Sequence, residues 1–119
     1  NNALVLAKNL LQHSLVKDVY HPALPHTKNH KIWKRDFTGS SGLFGFTLKK
    51  AYSNKMIEKF YNKLKIFRIG YSWGGFESLI TFPSLTKRSI KNKSKGILIR
   101  IYCGLEDSKD QIKDIIKAI

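Results

Sequence analysis

The run Ile69-Gly70-Tyr71-Ser72-Trp73-Gly74-Gly75-Phe76-Glu77-Ser78-Leu79-Ile80 constrains the fold more than any other stretch, because it sets strand periodicity, a glycine pair and a carboxylate side by side. Phe67, Ile69 and Tyr71 alternate with Arg68, Gly70 and Ser72, the period of a half-buried strand whose end delivers Ser72 and Trp73 to an exposed edge. Gly74 and Gly75 lack a Cβ, which admits positive φ and close approach to the main chain. Glu77 then falls where a carboxylate complements the positive end of a following short helix, and is read as support for the turn. Alone, a strand, a Gly-Gly turn and a helix start read as architecture more readily than as a site.

At 119 residues the chain fits one domain with a real core. No apolar run approaches the roughly 20 residues of a membrane helix. No charged-then-apolar leader is visible, and the single Cys103 cannot form an internal disulfide, so a reducing cytoplasm is the expected setting. The formal charge of +14 raises nonspecific nucleic-acid binding as an alternative. Against it, lysines are scattered over helix faces and loops, and the densest basic run, 87–96, reads as a solvated loop; no nucleic-acid partner and no membrane are expected. The chain begins Asn1-Asn2 and its one methionine is Met56, as expected of a piece of a longer product.

Ala3, Ala7 and Leu10, with Leu4, Leu6 and Leu11 beside them, predict a first helix whose start precedes Asn1. Residues 16–20 predict a strand, followed by an extended loop over His21-Pro22-Ala23-Leu24-Pro25. Thr27 is placed to cap a short helix over 29–35 that buries Ile32 and Trp33, with Asp36 pairing to Arg35 or Lys34. Gly39-Ser40-Ser41-Gly42 reads as a turn or as an anion-cradling run of amides, ahead of a strand over 43–48. Ser53 or Asn54 starts a helix with Met56, Ile57, Phe60 and Leu64 as its apolar stripe, and the central strand is expected from Ile66. In the strand over 97–104, Ile97, Ile99, Ile101 and Cys103 face one way, so Cys103 reads as a buried thiol. Ser108 with Gln111 forms a capping box for a last helix whose stripe is Ile112, Ile115, Ile116 and Ile119. The pattern predicts a single two-layer α+β domain: a small, mostly antiparallel sheet of about four strands, near Val16, Phe44, Phe67 and Ile99, with helices on one face.

Arg100 stands in the middle of an apolar strand, where an unpaired guanidinium is costly and an anionic partner is required. Its planar fork suits a carboxylate, and spacing leaves two partners open: an external carboxylate, or an internal acid such as Glu77 or Asp107. His21, His26 and His30 straddle two prolines without cysteine or a supporting carboxylate set, so no metal is expected.

Three separated motifs carry a resemblance that covers nearly the whole chain: the run 69–80, Phe37-Thr38-Gly39-Ser40-Ser41-Gly42-Leu43-Phe44, and Leu98-Ile99-Arg100-Ile101-Tyr102-Cys103-Gly104-Leu105-Glu106-Asp107. Together they resemble the carboxy-terminal domain of the cystathionine beta-lyases, in the Cys/Met metabolism family of pyridoxal-phosphate enzymes. The resemblance implies a small, largely antiparallel sheet covered by helices. It implies that Arg100 holds the α-carboxylate of an amino-acid substrate and that Ser72 and Trp73 line the same pocket, with Tyr71 beside them. Tryptophan at 73 leans toward β-elimination, the cleavage of cystathionine to homocysteine, pyruvate and ammonia in methionine biosynthesis.

The resemblance also places the Schiff-base lysine and the rest of the pyridoxal-phosphate site in a preceding large domain, so this fragment is expected to bind no cofactor and to be inactive alone. The full-length form is expected to be a homo-oligomer. Ser84-Leu85-Thr86-Lys87 imitates the family's lysine motif but is followed by Arg88 and Ser89 instead of Gly and His, so Lys87 reads as a surface lysine. The alternative from another class is a stand-alone binding or interaction module, or a gene remnant.

Overall fold

The computed structural model describes residues 1–84 and 96–119. Its elements in chain order are α1 (Asn2–Leu11), β1 (Val16–Tyr20), α2 (His30–Asp36), β2 (Leu43–Leu48), α3 (Asn54–Lys63), β3 (Arg68–Ile69), β4 (Leu79–Thr81), β5 (Leu98–Tyr102) and α4 (Ser108–Ala118). The basic run and Lys87 lie outside the described residues, apart from Gly96 at its end.

Alternation decides how the sheet is used. The five strands lie in the order β1-β2-β5-β4-β3, antiparallel except for the β3–β4 pair. Register sets Phe46 between Val19 and Ile99, and Ile101 between Phe44 and Ile80, so these six side chains share one buried face. Helices α1, α3 and α4 complete that core through Leu6, Leu10, Phe60 and Ile115. Each large apolar side chain fully removed from water contributes about 1.5–3 kcal/mol. The other face carries the row Tyr20, Gly45, Arg100 and Thr81 across four strands. Two layers with mixed α and β content match the expected class, and β1 and β2 fall on the expected residues.

Four local expectations are corrected. The central strand is β5; the run after Ile66 forms only the two-residue edge strand β3, with Ile69 61% and Tyr71 75% exposed. Beyond Gly74, whose φ is +109°, no helix follows: Leu79, Ile80 and Thr81 form β4, because they pair with β5 and two of the three are β-branched. That strand makes the sheet five-stranded.

Helix α2 buries nothing, and Ile32 is exposed; the Thr27 hydroxyl donates to the Leu24 carbonyl (2.8 Å) instead of capping, while Arg35 pairs with Asp36 as expected. Helix α4 is capped by Asp107, which accepts from the Lys109 amide (2.8 Å), and it buries Gln111, Asp114, Ile115 and Ala118, leaving Ile116 exposed. Its polar stripe has a physical reason: the Asp114 carboxylate accepts from the amides of Lys65, Ile66 and Phe67 at 2.8–3.0 Å. Asn1 occupies the cap position of α1, accepting from the Ala3 amide, and Ser53 caps α3 by accepting from the Met56 amide.

Candidate functional site

The three motifs converge beside β5. Arg100 and Tyr102, two residues apart, project from the face away from the core, and each donates to the main chain of the loop after β3. Arg100 Nη2 donates to the Tyr71 carbonyl (3.2 Å) and the Tyr102 hydroxyl to the Gly75 carbonyl (2.9 Å). The Tyr102 ring lies against Gly42, where a Cβ would come within 2.9 Å of ring carbon Cε2. At Gly104 a Cβ would meet the Phe76 carbonyl oxygen at 2.1 Å, so glycine is what lets the two backbones touch; the Leu105 amide donates to that carbonyl (2.8 Å). The Gly39-to-Gly42 run therefore serves as a turn that seats a tyrosine. Its hydroxyls are engaged within the chain, Ser41 accepting from the nearby Leu43 amide and Ser40 from the distant Asn1 side chain.

Behind this loop lies a polar cluster that sequence patterning did not identify. Glu106 accepts from the Ser78 amide (2.8 Å) and hydroxyl (2.6 Å), while Ser78 Oγ accepts from the Gly104 amide (2.9 Å) and Gln111 Nε2 (3.0 Å). Burial pushes the Glu106 carboxyl up, but the bonds from Ser78 and Gln111 outweigh it and hold the group below its ordinary range. Gln111 is thus a core connector and no part of a capping box. Glu77, expected at a helix start, is exposed and lies 3.8 Å from Arg68, the kind of surface pair that contributes little. The available signal was a serine opening an apolar strand and a glutamine among the buried positions of α4.

Of the predicted site residues, Arg100 is half-buried, and Tyr71, Ser72 and Trp73 are exposed in the loop it anchors. Arg100 makes no ion pair with any acid among the described residues: Glu77 lies by Arg68 and Asp107 caps α4. A guanidinium with five N–H donors thus meets one neutral carbonyl. Ser72 Oγ has no protein hydrogen-bond partner among the described residues. Cys103 is a buried thiol as expected, pushed up to about 12 by burial and by the Glu106 charge. The nearby cleft of about 460 Å³, lined by Lys65, Arg68, Phe76, Glu77 and Leu105 among others, does not take in Arg100, Ser72 or Trp73.

A small five-stranded, mostly antiparallel sheet with helices over one face is the architecture of domains in pyridoxal-phosphate-dependent lyases and synthases. The solved structure of cystathionine gamma synthase from Xanthomonas oryzae pv. oryzae superimposes with a TM-score of 0.82 at 26% identity, over 98% of this chain and 32% of that one. Residues 1–119 match the family described as Cys/Met metabolism PLP-dependent enzyme, and the chain belongs to that family.

Among its relatives, cystathionine beta-lyase MetC of Escherichia coli K12 is 44% identical over 96% of the chain, and the L-alanine/L-glutamate racemase of Wolbachia pipientis wMel 42% identical over all of it. The chain spans 30% of the length of each. Pyridoxal phosphate needs a Schiff-base lysine, an acid for its ring nitrogen and a phosphate cradle. Among the described residues, the hydrogen bonds and ion pairs of Arg100, Ser72 and Trp73 supply none of these, so the cofactor does not fit this cluster by itself.

Proposed function

We propose that the chain is the terminal, substrate-facing domain of a cystathionine beta-lyase-like enzyme, in which Arg100 receives the α-carboxylate of the amino-acid substrate. The observation that carries this reading is a half-buried guanidinium on the central strand with no acid to answer it among the described residues. A carboxylate offers two oxygens to two parallel N–H donors and supplies the missing charge. The relatives named for cystathionine and for alanine and glutamate all concern α-amino acids, so the portion Arg100 is suited to hold is the one those substrates share. Ser72, one residue from the carbonyl that Arg100 holds, offers a hydroxyl with no hydrogen-bond partner among the described residues, and Trp73 and Tyr71 offer apolar surface that excludes water once the rest of the protein closes over them.

The tryptophan at position 73 and the 44% identity to a beta-lyase support β-elimination of cystathionine, in methionine biosynthesis. In this reading the lysine and the phosphate cradle belong to a preceding large domain, the whole enzyme is a cytoplasmic homo-oligomer, and the 119-residue piece is inactive alone. A second reading, racemisation of a small amino acid, is favoured by 42% identity to the racemase over the entire chain.

Supplying the whole enzyme with cystathionine, and separately with L-alanine or L-glutamate, discriminates the two: pyruvate release marks the first, D-amino acid the second. Arg100→Ala is expected to lower kcat/KM for cystathionine by about 100-fold, the loss of a charge-assisted pair. Unchanged kinetics would remove the arginine from the site. The 119-residue chain mixed with pyridoxal phosphate is expected to give no Schiff-base absorbance band, and a clear band would mean that the cofactor lysine lies within it.

A further inference from the structure

Residues 71–75, the part of the loop that presents Ser72 and Trp73, meet the sheet through two hydrogen bonds among the described residues, and just beyond them the Phe76 carbonyl is taken by the Leu105 amide. From Tyr71 to Gly75, the hydrogen bonds among the described residues are those from Arg100 Nη2 to the Tyr71 carbonyl and from the Tyr102 hydroxyl to the Gly75 carbonyl. Among the described residues, a Cβ built at Gly74 or Gly75 meets no atom within 4 Å.

The two anchors differ in how they respond to substrate. A carboxylate taken through both terminal nitrogens of Arg100 shares Nη2 with the Tyr71 carbonyl, and a charged acceptor draws that donor more strongly than a neutral one. The arginine anchor therefore loosens at the moment the loop has to stay in place. The tyrosine anchor carries no charge and has no such competitor, and its ring is already set by contact with Gly42.

We infer that Tyr102 is a positioning residue for the carboxylate site: its hydroxyl, bonded to Gly75, keeps the 71–75 loop on the sheet while Arg100 turns its fork to the ligand. The inference rests on the carboxylate reading of Arg100 and adds to it a residue with no direct part in binding.

Tyr102→Phe removes the hydroxyl and keeps the ring. In the 119-residue chain, the backbone order parameters of residues 73–76 are expected to fall from the rigid range near 0.85 to below about 0.6, the mark of a loop released from the sheet. In the whole enzyme the KM for cystathionine is expected to rise about fivefold with kcat within about twofold, because once the carboxylate has drawn Arg100 away the loop lacks both bonds, and the complex, not the chemical step, bears the loss. A merely structural tyrosine would lower the melting temperature and leave this KM-against-kcat split absent. Unchanged order parameters overturn the tether, and lowered order parameters with unchanged KM overturn the positioning role. The underlying reading fails differently: Arg100→Ala with unchanged kinetics discards the carboxylate site even where Tyr102→Phe frees the loop.

Discussion

The Glu106 carboxylate ties Ser78, at the entry to β4, to Gln111 of α4, yet no local pattern announces it. Its partner Ser78 is 28 residues away in sequence, and Gln111 reaches it from the next element. Arg100 was legible for the opposite reason: a lone cation among Leu98, Ile99, Ile101 and Tyr102 breaks the pattern of its own strand. A residue that violates local order can be found from sequence, whereas one that satisfies distant partners cannot.

The depressed Glu106 carboxyl fixes the sign of a pH effect. Its folded value lies below the ordinary 4.5, so its contribution is complete above that value and is lost as pH falls through the folded one. The urea midpoint of the chain is therefore expected to fall as pH drops below about 4.5, with Glu106→Gln lowering it at neutral pH and flattening that part of the profile. An identical acid limb in the variant would show that other groups carry it.

Elements separate by how much of their structure is local. Strands β1 and β2 could be read residue for residue because they are unbroken runs of five and six residues rich in β-branched and aromatic side chains, even though β1 bulges between Val16 and Asp18 and β2 buries its last three residues. Strands β3 and β4, of two and three residues, are too short to carry a period and exist through pairing alone. The same logic explains α4. Its four isoleucines indicated one stripe, but the carboxylate of Asp114, bonding three successive amides, rotates a polar position inward and ties the helix to the approach of β3. An amide keeps the shape but brings an NH2 group against backbone donors, so Asp114→Asn is expected to cost about 2–3 kcal/mol, read as a lower urea midpoint with unchanged m-value. A change within about 0.5 kcal/mol would place the anchor of that segment elsewhere.

Across the whole molecule, charge and apolar surface are unevenly committed. Of the eight acids, Glu106 and Asp114 are used inside hydrogen-bonded clusters and Asp36 and Asp107 locally, which leaves much of the formal charge of +14 facing water. Around the Gly-Gly loop large apolar side chains stand exposed among charged ones. Phe76 is 71% and Leu105 84% exposed, both line one cleft, and Tyr71 and Trp73 stand open in the same loop. Contiguous apolar surface of this kind marks a contact site more often than a free exterior.

If, as proposed, the rest of a longer enzyme covers this region, these side chains contribute to docking and almost nothing to the isolated fold. Leu105→Ser with Phe76→Ser is then expected to leave the urea midpoint of the 119-residue chain within about 0.5 kcal/mol of its original stability while raising the concentration at which it aggregates. In the whole enzyme the same pair should weaken assembly or raise KM, because the surface it removes is then an interior one. A large loss of stability in the isolated chain would instead make these residues part of its own core, and the region would no longer qualify as the covered face of a longer protein.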